Sequence, residues 1–185
     1  MQTILGINEV GRGSLAGPLV SAAVILPSNF KTELYDSKRI NARKREELAA
    51  VIRARADYIG LGWVSHVEID EQGLAWALKT SYLRALSGID INTVDQMILD
   101  GNVNYLREIE VCETMVGADG KVACVSAASI VAKLARDEYM RAQSAIYPAY
   151  GYETNVGYGT VSHREAIGVY GITELHRKSF CRNLV

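Results

Sequence analysis

A central mixed β-sheet flanked by helices, an α/β arrangement, is the fold class this sequence predicts. Two observations carry it. Short aliphatic runs come early in the chain, and further such runs are mixed with helical patterns later on. From Lys121 to about Ile146 no Gly or Pro intervenes and Ala, Leu, Lys and Arg dominate, which predicts one long helix.

The elements follow in order. "TILGI" and "LVSAAVIL", with Gly17-Pro18 between them, read as two buried strands joined by a connection. "NARKREELAAVIRARA" places Leu48, Val51, Ile52 and Arg55 at helical spacing behind Asn41, a plausible cap, so residues 42–56 are predicted helical. "DYIGLGWVS" is a third strand. Residues 68–88 read as one or two helices, and "VDQMILD" and "EVCETMV" as strands four and five. The small-residue run "SAAS" in the long helix would let another backbone approach closely. "YPAYGYETNVGYGT" concentrates Tyr, Gly and Pro and is predicted to be a loop leading to a final helix near 161–170 and an irregular end. Residues 1–145 are expected to form the main domain, with 146–185 packed on it. No internal repeat is visible.

Composition narrows the class. The chain has 185 residues, 49% hydrophobic and 22% charged, which gives no support to disorder or low complexity. The longest apolar stretch, "AGPLVSAAVIL", is interrupted by Pro18 and falls short of the roughly 20 residues a membrane span needs. The first residues run into a strand without a basic segment or an apolar signal core, so a cytoplasmic location is expected. Cys112, Cys124 and Cys181 form no close pair or zinc spacing and read as reduced, packed thiols. Twenty Lys and Arg against 21 Asp and Glu leave a formal charge of −1, so nucleic-acid binding would have to come from a local patch.

"GRGSLA" after a strand fits the dinucleotide fingerprint, with Asp36 about 20 residues on. It fails on context, because those glycines should open a helix and here Pro18 and another strand follow. The acids that could carry chemistry are Glu9 at the end of the first strand, Asp100 at the end of "VDQMILD" and Asp119 before the long helix. Polar groups at the carboxyl ends of strands are well placed for a ligand, and clustered oxygens suit Mg²⁺ and phosphate. Each also has a plainer reading: Asp119 as a helix cap, Asp100 as a turn former before Gly101, Glu9 as a surface charge.

"GINEVGRGSLAGPLVSAAVIL", "YDSKRI", "ILDGN", "SAASIVAKLARD", "GYGT" and "HRKSF" occur along almost the whole chain in the order of the type 2 ribonucleases H, the bacterial ribonuclease HII group, which the sequence closely resembles. The resemblance implies a ribonuclease H-like fold, with a mixed five-stranded sheet and a C-terminal helical region. It implies cleavage of the RNA strand in RNA/DNA hybrids and on the 5′ side of a ribonucleotide embedded in duplex DNA, leaving a 3′-hydroxyl and a 5′-phosphate. Those substrates would be its partners, and the chain is expected to act as a monomer.

Carried over by motif, the family's catalytic and metal-holding set falls on Asn8, Glu9, Asp100 and Asp119, with two Mg²⁺ or Mn²⁺ ions as cofactors. Position 8 departs, since the family has Asp there. An Asn keeps the shape and one carbonyl ligand while removing a charge and an acceptor oxygen, and two-metal sites hold their ions about 3.5 to 4 Å apart with bridging ligands. We read it as an inactivating change introduced into an enzyme, in preference to natural divergence or a pseudoenzyme. A non-catalytic binder of the same duplexes is the alternative. Gly11, Arg12 and Gly13 resemble the loop whose backbone contacts the ribose 2′-hydroxyl, by which RNA is told from DNA. Tyr158 matches the tyrosine that packs on the following deoxyribose, although "TNVG" stands before it where relatives often carry basic residues. Ser37, Lys38 and Ser126, with Ser129 and Lys133, are candidates for gripping phosphates. Lys44, Arg45, Arg53 and Arg55 are expected to coat a solvated helix face, and Arg136 and Asp137 to form a structural pair. His176 and Arg177 match the family, with no catalytic role assigned.

Overall fold

The structure, a computed structural model, describes residues 2–34 and 41–184. Five strands form one sheet: β1 (Ile4–Val10), β2 (Leu19–Ile25), β3 (Tyr58–Val64), β4 (Gln96–Asp100) and β5 (Cys112–Met115), in the spatial order β3-β2-β1-β4-β5. β1 pairs antiparallel with β2, and β2 with β3, whereas β1 pairs parallel with β4, and β4 with β5. This is the predicted mixed sheet. All seven residues of β2 are buried, which is why "LVSAAVI" reads as a continuous apolar run and not as an alternating one.

Helices cover both faces. They are α1 (Ala42–Arg55), α2 (His66–Gln72), α3 (Leu74–Leu86), α4 (Ala123–Gln143), α5 (Tyr152–Asn155), α6 (Val161–Tyr170) and α7 (Lys178–Cys181). Asn41 caps α1 as expected, its Oδ1 accepting from the Lys44 N–H at 2.8 Å. The 68–88 segment is two helices because Gly73, at φ +83°, ends one and opens the other. Ser65 and Glu68 close a capping box at the start of α2.

On one face Leu5, Ile7, Leu19 and Ala23 pack against Leu78, Tyr82 and Ala85 of α3. On the other, Ala22 and Val24 meet Ala127, Ile130 and Val131 of α4 and Leu48 and Ile52 of α1. A strand backbone approaches α4 closely at the residues immediately before "SAAS", and the strand supplies the glycine. A Cβ on Gly6 would collide with the Cys124 and Val125 backbone. A third cluster joins Leu15 and Ala16 to Met140 of α4, Tyr150, Tyr152, Ile167 and Leu175. The stretch predicted as loop before 161 carries a 3-10 turn (Pro148–Tyr150) and α5, because Gly151, at φ +65°, sits between them as a joint. The irregular end likewise contains the one-turn α7, whose N–H groups at Lys178 and Ser179 are held by the Asp70 carboxylate. All three cysteines are buried free thiols.

Candidate active site

Successive residues on a strand face opposite sides of the sheet, and the end of β1 uses both. Asn8 pairs with Ala22, which packs toward α4, while Glu9 pairs with Ser21, whose hydroxyl is 2.6 Å from that of Ser81 on α3. Asn8 is buried, and its Oδ1 accepts from the Glu9 N–H at 2.8 Å. The Glu9 carboxylate lies on the α3 side, accepting from the Tyr82 hydroxyl at 2.8 Å, with Arg12 Nη1 at 4.0 Å. Burial raises the Glu9 carboxyl above its ordinary value of 4.5, and the Asp100 charge adds to the rise, while Tyr82 and Arg12 pull the other way. Burial next to that carboxylate also raises the Tyr82 hydroxyl.

The last registered pair of the parallel β1–β4 ladder is Ile7 with Leu99, so Asn8 and Asp100 are the next residues at the carboxyl ends of adjacent strands. Asp100 Oδ1 accepts from the Ala118 N–H at 2.8 Å and ties β4 to the 3-10 turn (Ala118–Gly120) that leads into α4. Asp119 sits buried in that turn, where the Ser126 hydroxyl donates to its backbone carbonyl. Asn8, Asp100 and Asp119 thus approach from the α4 side and Glu9 from the other. Among the described residues no three His, Cys, Asp or Glu side chains stand close enough to hold an ion by themselves. The expected convergence of Glu9, Asp100 and Asp119 is in this respect incomplete, since Glu9 leaves β1 on the α3 side and the group facing α4 from that strand is the Asn8 amide.

Beside the acids, residues 11–18 form a loop held from beneath. Gly11, at φ +88°, leaves no room for a Cβ against the Arg136 side chain, and its N–H donates to the Tyr158 hydroxyl at 3.2 Å. Arg136 is wholly buried and donates to the carbonyls of Pro18, Val156 and Ala16 and to the Ser14 hydroxyl at 2.8 to 3.1 Å. Arg177, also wholly buried, donates to the carbonyls of Gly17 and Arg12 at 3.0 and 3.1 Å. Burial and the neighbouring Arg136 push its guanidinium down to about 9. Arg12 and Gly13 are exposed at the tip. The Tyr158 ring lies 5.2 Å from the Arg136 guanidinium and 5.8 Å from the Lys133 ammonium.

A family model described as ribonuclease HII matches residues 5–183 of this chain. The ribonuclease HII of Campylobacter concisus is 45% identical over 181 residues, covering 97% of this chain and 94% of that protein. The chain belongs to the ribonuclease HII family. The ribonuclease H2 structure from Pyrococcus horikoshii superposes with a TM-score of 0.83 at 24% identity, over 99% of this chain and 97% of that one. A ribonuclease HIII in complex with Mn²⁺ gives 0.71 at 19% identity, over 92% and 63%. These likenesses confirm the ribonuclease H-like sheet with its flanking helices and C-terminal helical region.

Of the residues expected from the ribonuclease HII motifs, the fold brings Asn8, Glu9 and Asp100 to one end of the sheet with Asp119 in the turn beside them. It sets Gly11, Arg12, Gly13 and Tyr158 next to that end. Ser126 is buried, its hydroxyl shared between the carbonyls of Asp119 and Val122. Lys133 is ion-paired to Asp137 at 2.7 Å. Ser37 and Lys38 lie outside the described residues. Arg136 and Asp137 are both buried but do not pair with each other: Arg136 holds the loop, and Asp137 takes Lys133 and Arg141. Sequence reasoning missed Tyr82 as the donor to Glu9 and the two arginines as clamps. A tyrosine on an amphipathic helix carries no signal of its own, whereas an Arg within "AKLARD", amid apolar helix positions, was a legible sign of a buried cation.

Proposed function

We propose that the chain is a metal-dependent endonuclease of the type 2 ribonuclease H kind, impaired at position 8, that acts on the RNA strand of RNA/DNA hybrids and on the 5′ side of a ribonucleotide within duplex DNA. The observation that carries this reading is the placement of Asn8 and Asp100 side by side at the carboxyl ends of β1 and β4, with Glu9 adjoining. All the donors there are oxygens: the carboxylates of Glu9, Asp100 and Asp119 and the amide carbonyl of Asn8. Such a set fits hard divalent cations such as Mg²⁺ or Mn²⁺. The upward shift of the Glu9 carboxyl, which burial causes and the Asp100 charge increases, also fits, because a cation held there would offset both. Two ions held by these residues would supply charge neutralisation at a phosphate and a more acidic water.

The protein's own groups orient and select. Tyr82 and Arg12 fix the Glu9 carboxylate, and the Ala118 N–H fixes Asp100. The loop at Gly11 to Gly13 presents backbone where a ribose 2′-hydroxyl can be reached, and Tyr158 offers its ring to the neighbouring sugar. Asn8 keeps the volume of an aspartate without its charge, and its Oδ1 is already engaged by the Glu9 N–H. That engaged, neutral amide is also what favours the second reading, a binder of the same duplexes that does not cut. Single-turnover cleavage of a duplex carrying one ribonucleotide, by this chain and by Asn8→Asp with Mg²⁺ or Mn²⁺, separates the two. Cleavage gained by the Asn8→Asp variant supports the impaired enzyme, and two equally inert proteins support the binder.

A further inference from the structure

The motif "HRKSF" and the helix "SHREAIGVY" each bring a histidine to one buried place that the reading above does not use. His163 on α6 and His176 before α7 are 0% and 1% exposed, and their Nε2 atoms are 3.1 Å apart. Both ends of the pair are fixed by backbone groups whose roles admit no choice. The Thr173 backbone N–H donates to His176 Nδ1 at 2.9 Å, so that nitrogen is an acceptor and the proton of a neutral ring lies on Nε2. At the other end His163 Nδ1 lies 2.9 Å from the Tyr158 carbonyl, which only accepts, so Nδ1 carries the proton and Nε2 is bare. The two requirements meet in the middle with one proton between the Nε2 atoms, as the 3.1 Å separation needs.

The receiving carbonyl belongs to a segment that does not hold its shape unaided. Val156 has φ +43°, a left-handed conformation that costs a β-branched residue on the order of 1 to 3 kcal/mol. Tyr158, two residues on, faces the Gly11 loop through its hydroxyl. Arg136 holds the Val156 carbonyl and Asn155 holds the Gly157 N–H, while the Tyr158 carbonyl accepts from the Thr160 N–H at 2.8 Å and from His163 at 2.9 Å, so that His163 is the side chain that holds it.

We propose that His163 and His176 are positioning residues forming a proton-ordered relay, from the Thr173 N–H through both neutral rings to the Tyr158 carbonyl, which fixes Tyr158 against the Gly11 loop and so sets the preference for a ribonucleotide at the site. An added proton on either ring would set two donors face to face, on His176 against the Thr173 N–H or on His163 against His176. Burial lowers both imidazoles, and His163 lowers His176 further, to about 4. The titratable groups around the pair are Tyr150 and Tyr152, whose rings contact both, and His66, Asp70, Glu71, Glu174 and Lys178, which share with His176 the lining of an adjoining cavity of about 710 Å³. Among the described residues no carboxylate hydrogen-bonds either ring. The selective half of the proposal rests on Tyr158 contacting the sugar.

The test has two arms on the full chain. In ¹⁵N-histidine NMR, His163 should be the Nδ1–H tautomer and His176 the Nε2–H tautomer. Both should persist as pH falls from 7 through the ordinary histidine value of 6.5. The opposite tautomer on either ring, or a charged ring at pH 7, overturns the relay whatever the protein binds. In metal-free buffer, binding is compared for a duplex with one ribonucleotide and for the same duplex in DNA alone. His163→Leu should lose about three- to tenfold of the preference, the worth of one hydrogen bond. His163→Asn, whose amide reaches the Nδ1 position, should keep it within about twofold. A folded His163→Leu protein with its preference intact overturns the positioning role. Absence of any preference in the unsubstituted chain overturns the reading of Tyr158 while leaving the tautomers to stand.

Discussion

Where β1 ends, acidic groups lie with Arg12 within 4.0 Å of one of them; under the loop a few residues further on, two guanidiniums from distant parts of the chain are buried with their hydrogen bonds going to carbonyls and a hydroxyl. Among the described residues no carboxylate bonds to either of those guanidiniums. At the acid end burial and the Asp100 charge raise the Glu9 carboxyl, and on the reading proposed above cations from outside would complete it. The loop end is completed from inside, since Arg136 and Arg177 satisfy the carbonyls of residues 12, 16, 17 and 18 and leave the tip to face the solvent. On the proposed reading a side chain at the first region would therefore govern chemistry at little cost to the fold. One at the second governs the fold of the loop and, on the same reading, would through it govern the shape offered to a substrate.

The largest expected effect tests the first half of that contrast. Asn8→Asp should raise single-turnover cleavage on the order of a thousandfold, about 4 kcal/mol of transition-state stabilisation. Duplex affinity, expected to come largely from phosphate contacts and the loop, should move only a fewfold. Its unfolding free energy should fall slightly, because a charge is added beside Asp100. A large loss of stability in urea unfolding, or of binding, would place position 8 with the structural residues instead. The converse is expected of Arg136→Met. Four acceptors lose their donor, and unfolding should become easier by about 3 kcal/mol, read from the urea midpoint. If that variant unfolds at the same midpoint, the loop does not depend on its clamp.

The smallest effect concerns charge alone. The Glu9 carboxyl takes up its proton more readily in the folded chain than in the unfolded chain, where its value is near 4.5. Between those two values the folded state binds more protons, so the contribution of Glu9 to stability is greatest below 4.5 and is lost as pH rises through the folded value. Glu9→Gln keeps an acceptor for Tyr82 without the charge. It should be more stable than the unsubstituted chain at pH 7, with the gain shrinking toward pH 4.5. A gain that is constant across that range would show that packing, and not ionisation, distinguishes the two side chains.

The strands were legible because each is a short aliphatic run bracketed by Gly, Pro or Asp, and α1 and α4 because cap and composition agree. The tail was harder, since Gly151 serves as a joint between two short turns where composition alone suggests a break. Glu9 and Asp100 were visible as acids at strand ends, but their division between two faces of the sheet follows from register, which the Asn8–Ala22 and Glu9–Ser21 pairs reveal. The supposed Arg136–Asp137 pair had a physical objection already in the sequence. Neighbours on a helix do not face each other, so Arg136 had to look toward the loop if Asp137 looked toward Lys133 and Arg141. Tyr82 and the histidine pair depend on contacts between segments far apart in the chain, and nothing in the local pattern marks them.

The hydrogen bonds from Arg177 to the carbonyls of Arg12 and Gly17 link positions 165 and 160 residues apart, and that separation gives the site an order in time. A chain made from its first residue onward contains every acid of the candidate site once Asp119 has been added. At roughly 5 to 20 residues per second, Arg177 follows about 3 to 12 seconds later. On the ribosome the carboxylates can come together while the loop beside them still lacks one of its two clamps, so the part of the protein that would choose the substrate is the last to mature.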